Sequence, residues 1–304
     1  MTMTRKHALD QTAVIAMVIL CALWGFQQVL IKWALPEIGP LWQSGVRSAG
    51  ASVLIGLWII FTVGNWREGL WRPGIVVGLL FAVEFGVLYV ALQYTDASRA
   101  VLLLYTAPFV VAVGAHFLIR GEHLSRAGWA GVALAFVGTG IVLRTSLDFR
   151  SETAFGDLCA LAAGIAWGFT TLTIRKTRLT DAPPSQTLFF QLLISGIVLC
   201  AGGALWEGSL TLPREAITYA SLVYQTVIVA ALSFLVWFAL VTRYSVTKLS
   251  VFTFMAPLFG ALAGVIFLGE SLGPSHIVAL FCIMAGIIIV NRFGHARIAK
   301  EVAP

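Results

Sequence analysis

The chain has 304 residues, of which 59% are hydrophobic and 11% are charged, and its mean hydropathy is +0.91. A soluble domain carries about a quarter charged residues, so these values exclude an ordinary soluble domain and a disordered chain. The four cysteines lie in apolar runs without CxxC spacing, which excludes a disulfide scaffold and a cysteine metal site. The net charge of +6 lies in short loops, which is typical of membrane topology and not of nucleic-acid binding. The composition therefore predicts an all-α integral membrane protein whose first partner is the lipid bilayer.

Apolar runs separated by short polar, Gly or Pro segments predict ten transmembrane spans, since each span needs about 20 residues. The first apolar stretch, Thr12 to Leu35, is too long for a signal peptide and is expected to remain in the mature protein. In chain order, spans 1 to 10 are predicted at 12–34, 41–63, 73–93, 97–119, 126–143, 154–174, 184–206, 216–241, 245–268 and 274–292.

The basic residues predict the orientation of the spans, because cytoplasmic loops are enriched in Lys and Arg. With the N-terminus in the cytoplasm, Arg144, Arg150 and Arg214 lie in outer loops. Both termini are therefore predicted to be cytoplasmic. The inner loops and tails then carry Arg5, Lys6, Arg67, Arg72, Arg120, Arg126, Arg175, Lys176, Arg178, Arg243, Arg292, Arg297 and Lys300.

The second half of the sequence repeats the first. This predicts two repeats, residues 1–147 with spans 1 to 5 and residues 148–304 with spans 6 to 10. Because five is odd, the second repeat enters the membrane from the opposite side, which gives the inverted repeat of secondary transporters around a central cavity. At offsets of 143, 149 and 148 the matches are Trp24-Gly25-Phe26 with Trp167-Gly168-Phe169, Ala107-Pro108 with Ala256-Pro257, and Gly121-Glu122 with Gly269-Glu270.

These paired motifs, in the same order in both halves, resemble the drug/metabolite transporter superfamily in its ten-helix branch of two EamA domains. Within that family the chain looks most like the bacterial exporters of aromatic amino acids. The resemblance implies export of amino acids or related small metabolites across the bacterial inner membrane by alternating access.

Two prolines, Pro108 and Pro257, lie inside apolar spans at equivalent points of the two repeats. Each removes a helix hydrogen bond and frees the carbonyl four residues earlier, that of Leu104 or Thr253. Lipid cannot satisfy a free carbonyl, so each should face protein or a water-filled cavity. We expect kinks that line the pathway and let half a helix move; the alternative is a tolerated kink.

The sequence places Trp24 and Trp167 well inside spans 1 and 6, away from the interface where Trp usually anchors. The adjacent Gly25 and Gly168 permit close backbone approach or bending. We interpret the two tryptophans as walls or gates of the cavity, although core packing explains either one equally well. Close to them in sequence, Gln27 and Thr170 offer polar groups.

Glu84 is an acidic residue deep in an apolar run, where a carboxylate costs a few kcal/mol. It is predicted to face the bundle interior, where it could bind a substrate ammonium or carry a coupled proton; the alternative is a structural carboxyl. Other candidates are aromatic or hydroxyl residues on the predicted lining spans 1, 3, 4, 6, 8 and 9, which suit a moderately apolar substrate and would suit a bundle core as well. They are Tyr89, Tyr105, Tyr224, Ser233, Trp237 and Phe254.

The remaining basic residues near span ends are interpreted as anchors. Arg47 can extend along span 2 toward the outer surface, so it is expected to be an anchor or a partner of another residue and not a substrate clamp. The repeat-related pairs Lys32 with Arg175 and Arg99 with Lys248 are expected at the membrane interface.

The sequence contains no G-x-x-x-x-G-K-[ST], H-E-x-x-H or G-x-S-x-G motif, and its five histidines do not cluster. We therefore expect no enzyme activity, no catalytic residues, no cofactor and no metal site. Transport would be driven by substrate or ion gradients. Two alternatives stay open: an efflux transporter of lipophilic cations that uses Glu84 as counter-charge, and a membrane protein without transport activity.

Overall fold

The computed structural model describes residues 10–63, 66–119, 122–147, 151–244, 249, 252–253 and 255–293, and the regular structure in these ranges is helical. Among the described residues, nine helices are long and apolar enough to cross a membrane, and span 9 contributes a shorter apolar helix, Met255–Leu268. The fold class is confirmed. Spans 1 to 3 are Gln11–Ala34, Pro40–Thr62 and Trp71–Tyr94; span 4 is Ala97–Leu104 with Ala107–Leu118; spans 5 to 7 are Arg126–Leu147, Ser151–Lys176 and Pro184–Trp206; span 8 runs from Ala216–Val223 through Tyr224–Ser233 to Phe234–Arg243; span 10 is Pro274–Phe293.

Several spans extend beyond their predicted ends. Span 6 begins at Ser151 and ends at Lys176, and span 8 ends at Arg243. The prediction followed the apolar run, whereas polar residues in a first or last turn can still be helical. The described residues do not include Gly121, Lys248 or Phe254. They also omit most of the first part of predicted span 9.

The packing of the spans repeats between the two halves. Span 1 packs on spans 8 and 9, and the corresponding span 6 packs on spans 3 and 4. Span 2 packs on span 8 as span 7 packs on span 3, while spans 2 and 7, and spans 5 and 10, pack on each other. Exchanging each span with the one five places along the chain therefore reproduces these main contacts, as expected for two related repeats.

Spans 1 and 9 cross with their backbones in contact. A Cβ atom added to Gly25 would lie 2.5 Å from the backbone nitrogen of Gly260. Any larger side chain at residue 25 would force these spans apart, so this glycine permits the close crossing that small residues provide in membrane helices.

Span 4 is interrupted at Tyr105 and Thr106. Its first helix ends at Leu104, and its second begins at Ala107, with Pro108 in the first turn where a missing N–H is tolerated. The freed Leu104 carbonyl faces protein: it lies 2.7 Å from the Cβ position of Gly164 in span 6. Span 8 contains a π-helix, Tyr224–Ser233, whereas the corresponding span 3 is a regular α-helix. Such π segments often occur at functional sites.

Candidate functional site

A cavity of about 680 Å³ lies between the two repeats. Its walls run from Arg47 and Glu84 inside the bundle to Glu122, Arg175 and Thr180 at one end. At the other end, none of the described residues in the loops between spans lines the cavity. The cavity is therefore reached from the end where spans 4 and 6 finish, which we call the open end; the opposite one is the closed end.

One wall of the cavity is built around Trp24. Its indole N–H donates to the Ser233 hydroxyl at 2.9 Å, and its ring contacts Phe234 and, edge to face, Trp237, with centroids 6.3 and 6.1 Å away. Gln27, three residues further along span 1, also lines the cavity. The hydrogen bond fixes the ring orientation, so Trp24 presents a rigid aromatic surface to the cavity.

The repeat-related wall is built around Trp167. Its ring meets Tyr105 edge to face at 5.5 Å, and both rings line the cavity together with Thr170 and Pro108. Thr170 donates to the Ala166 carbonyl within its own helix, so its hydroxyl proton is already used. The two tryptophans therefore occupy related places, and their ring partners within the described part of the chain differ.

Three predicted cavity residues make contacts inside the bundle. Tyr89 is fully buried and donates to the Gln225 amide oxygen at 2.6 Å, and Tyr224 donates to the Leu23 carbonyl at 3.0 Å. Ser233 does not line the cavity; its hydroxyl accepts a hydrogen bond from Trp24, which does line it. Phe254 lies outside the described residues. Gly168 packs against Val110 of span 4, the counterpart of the Gly25 crossing.

Glu84 lies in the cavity wall, 5% exposed, on the same wall as Arg47. Arg47 is 1% exposed and does not extend to the membrane surface, so the prediction that it is an anchor is wrong. Its guanidinium carbon lies 4.0 Å from the centroid of the Phe85 ring, a cation–π contact that holds the planar group inside the bundle.

The sequence contained a signal for Arg47 that the interpretation missed. Gln43, Ser44, Ser48 and Ser52 recur with it at helical spacing along span 2, and all five residues are buried. A polar stripe with this spacing indicates one interior face of a membrane helix, because lipid cannot solvate such groups.

The closed end is sealed by charged residues from spans 1, 4, 6 and 9. Glu270, after span 9, accepts hydrogen bonds from the backbone N–H groups of Ala97 at 2.6 Å and Ser98 at 2.9 Å, the first turn of span 4. Lys32 lies 3.7 Å from the same carboxylate and donates to the Thr95 carbonyl. A carboxylate at a helix N-terminus satisfies free N–H groups and interacts favourably with the helix dipole.

Arg99 and Asp157 form a second buried ion pair at this end. Arg99 also donates to the Val142 carbonyl at 2.8 Å and contacts a His276 ring nitrogen at 2.9 Å, while the Thr95 hydroxyl donates to Asp157 at 2.6 Å. The prediction that Arg99 is an interface anchor is therefore wrong, whereas Lys32, in the last turn of span 1, is partly exposed and pairs with Glu270. We call the residues at this end the Glu270 cluster: Lys32, Thr95, Ala97, Ser98, Arg99, Asp157, Glu270 and His276.

At the open end, Arg175 pairs with Glu122, and both side chains line the cavity. These residues are the repeat counterparts of Lys32 and Glu270. Arg175 is thus also part of an ion pair and not simply an anchor. The pair is about a third exposed, at 37% and 27%, in contrast with the 4% exposure of Glu270.

A helical membrane bundle with two related halves and a cavity between them that is accessible from one end is typical of membrane transporters. Residues 11–144 and 154–292 each match the EamA-like transporter family. The chain belongs to this family, and it is a multi-pass membrane transporter of the EamA type.

Relatives and a solved structure agree with this assignment. The chain is 27% identical to the "Probable amino-acid metabolite efflux pump" of Salmonella typhimurium, over 89% of this chain and 91% of the relative. It is 25% identical to the protein of the same name in Escherichia coli, with the same coverage, and 27% identical to the uncharacterized transporter YvbV of Bacillus subtilis, over 93% and 92%. A crystal structure of a protein 19% identical in sequence superposes with a TM-score of 0.64, over 92% of this chain and 97% of that one, which supports the fold.

Proposed function

We propose that this protein exports amino acids, aromatic and other apolar ones in particular, or closely related metabolites, across the bacterial inner membrane by alternating access. The observation that carries the proposal is the aromatic-walled cavity of about 680 Å³ that is reached from one end. This volume lies within the range typical of small-molecule sites, about 300–1,000 Å³. Two efflux pumps among the relatives are named for amino-acid metabolites.

The charges at the two ends support an orientation in which the open end faces the cytoplasm. Arg67, Arg175 and Arg178 belong to the open end, which by the distribution of basic residues is the cytoplasmic one. In this orientation the structure is inward-facing and ready to take up a cytoplasmic substrate. The Glu270 cluster would then close the periplasmic end and would open when the substrate is released.

Counterflow in proteoliposomes without a pH gradient tests this function. We expect saturable uptake of labelled phenylalanine into vesicles preloaded with unlabelled phenylalanine, with competition by tryptophan and leucine. Trp24→Ala should raise the half-saturating concentration about tenfold because it removes an aromatic wall. Trp206→Ala is the matched control, since Trp206 is 83% exposed at the end of span 7.

A folded preparation that exchanges none of the amino acids would contradict the proposal. Transport of lipophilic cations by the same vesicles would then favour the drug-efflux alternative. Equal effects of the two tryptophan substitutions would contradict the assignment of the cavity as the substrate pathway.

A further inference from the structure

Two charged side chains in the cavity wall, Arg47 and Glu84, are almost completely buried without a hydrogen-bonding partner in the protein. The Nε and Nη1 atoms of Arg47 and the Oε2 atom of Glu84 have no hydrogen bond. A buried charged group whose polar atoms lack hydrogen-bonding partners is unfavourable in free energy. The pair therefore has unused capacity to bind one anion and one cation.

Phe85 holds the guanidinium of Arg47 in place within the bundle. The Arg47 guanidinium lies over the Phe85 ring, and Phe85 directly follows Glu84 in span 3. Stacking fixes the plane of the guanidinium but leaves the N–H groups on its edge available, and these groups match the two oxygens of a carboxylate. Because Arg47 and Glu84 both line the cavity, the anion site and the cation site open into the same space.

The depth of this site in the bundle is the same as that of the aromatic wall. Glu84 and Trp24 each precede the closed-end terminus of their span, Tyr94 and Ala34, by ten residues, which is about 15 Å along a helix. Gln28, in the turn after Trp24, also lines the cavity and has an unpartnered buried amide oxygen, an acceptor for an ammonium group. Polar binding groups and an aromatic surface therefore lie at one level.

We propose that Arg47 and Glu84 bind the head group of a zwitterionic α-amino acid, Arg47 its carboxylate and Glu84 its ammonium, with Gln28 as a second acceptor. This inference rests on the proposed function and assigns the recognition step to these residues. The amino-acid side chain extends along the aromatic wall that contains Trp24. Because the site presents one charge of each sign, a ligand with a single charge leaves either Arg47 or Glu84 buried without a partner. The site therefore selects zwitterions over lipophilic cations and over carboxylic acids.

Three ligands that share one phenyl side chain test this assignment: phenylalanine, phenethylamine without the carboxylate, and 3-phenylpropionate without the ammonium. Each competes with labelled phenylalanine in counterflow by the intact protein. In the wild type we expect phenylalanine to compete about ten- to hundredfold better than either analogue, because each analogue loses charge-assisted hydrogen bonds.

The two substitutions should give opposite patterns. Arg47→Gln should weaken competition by phenylalanine about tenfold or more and leave competition by phenethylamine nearly unchanged. Glu84→Gln should weaken competition by phenylalanine and leave competition by 3-phenylpropionate nearly unchanged. If the two residues had a purely structural role, each substitution would change competition by all three ligands alike. Where counterflow by a variant is too slow to measure, binding of the three ligands to the purified variant gives the same comparison.

The matched controls are Glu68→Gln and Arg72→Gln, which neutralise the same two charges at exposed positions outside the cavity. Wild-type protein that exchanges phenylalanine but does not discriminate against the two analogues would overturn the assignment and leave the proposed function standing. Absence of exchange for every amino acid would instead overturn the proposed function. If Arg47→Gln does not fold, the wild-type ligand series and Arg47→Lys still decide, because Arg47→Lys should retain the preference for the carboxylate.

Discussion

The two ends of the bundle carry the same pair of charges in different surroundings. At the closed end, Glu270 accepts two backbone N–H groups from span 4 and lies beside Lys32, with 4% of its side chain exposed. At the open end, the corresponding Glu122 pairs with Arg175, and its second carboxylate oxygen has no partner. Repeat-related residues thus show one arrangement in a sealed state and another in an accessible state.

This difference indicates which interactions contribute most of the free energy that keeps one end closed. An exposed ion pair contributes about 0–1 kcal/mol, whereas breaking a buried pair costs about 3–5 kcal/mol. The Glu270 cluster should therefore hold its end shut, and the Glu122–Arg175 pair should contribute little to holding the open end in its present form. Under the proposed alternating access, the opposite state would bury Glu122 and expose Glu270.

Substitution of Asp157 should have the largest effect on this comparison. Asp157 is fully buried and pairs with Arg99, so Asp157→Ala leaves the Arg99 charge without this carboxylate. We expect a loss of about 3–5 kcal/mol of stability. Thermal unfolding in detergent, followed by the fluorescence of the ten tryptophans, measures it. Glu152→Ala, at an exposed position in the first turn of the same helix, is the control and should unfold like the wild type.

Substitution of Glu270 should loosen the closed end without unfolding the protein. Glu270→Gln weakens two charge-assisted hydrogen bonds to the first turn of span 4. Because such bonds contribute about 1.5–3 kcal/mol, we expect access through this end to rise at least about tenfold. Glu122→Gln is the matched control at the repeat-related position and should not raise that access.

The variant Val101→Cys measures access through the closed end by the reactivity of its thiol. Val101 is 2% exposed and lines the cavity in the first helix of span 4, beyond the turn that Glu270 caps. In a background without the four native cysteines, Val101→Cys should react slowly with an impermeant thiol reagent applied from the periplasmic side. Equal labelling rates in the Glu270→Gln and Glu122→Gln backgrounds would show that the two ends do not differ as the structure indicates.

Much of the fold could be predicted from the sequence because span length and hydropathy are set by the membrane itself. The inverted repeat followed from the paired motifs around Trp24 and Trp167. The break in span 4 was harder to predict, since a proline predicts a lost hydrogen bond but not whether the helix bends or restarts. It restarts here because Pro108 falls in a new first turn, where its missing N–H costs little.

The candidate site was predicted less completely. Glu84 was predicted as a site residue because a carboxylate in an apolar run is unusual. Arg47 was predicted to extend toward the membrane surface because arginine side chains are generally long enough to do so. Its burial depends on tertiary contacts, with Phe85 beneath its guanidinium. The partners of Glu270 also depend on the tertiary fold, because they are 172 and 173 residues away along the chain.

The smallest expected effect concerns Glu37, which joins two loops at the closed end. The Thr218 hydroxyl, followed by the N–H groups of Glu215 and Arg214, holds the pKa of the Glu37 carboxyl below its ordinary value, against a smaller effect of burial. Its stabilisation is therefore present above the ordinary pKa and is lost as the pH falls through the lowered one. The wild type should unfold at a slightly higher temperature than Glu37→Gln at about pH 6. This difference in unfolding temperature should disappear as the pH falls to about 3. Glu68→Gln, at an exposed position before span 3, is the control. An advantage over Glu37→Gln that does not depend on pH would show that these hydrogen bonds do not favour the ionised carboxylate.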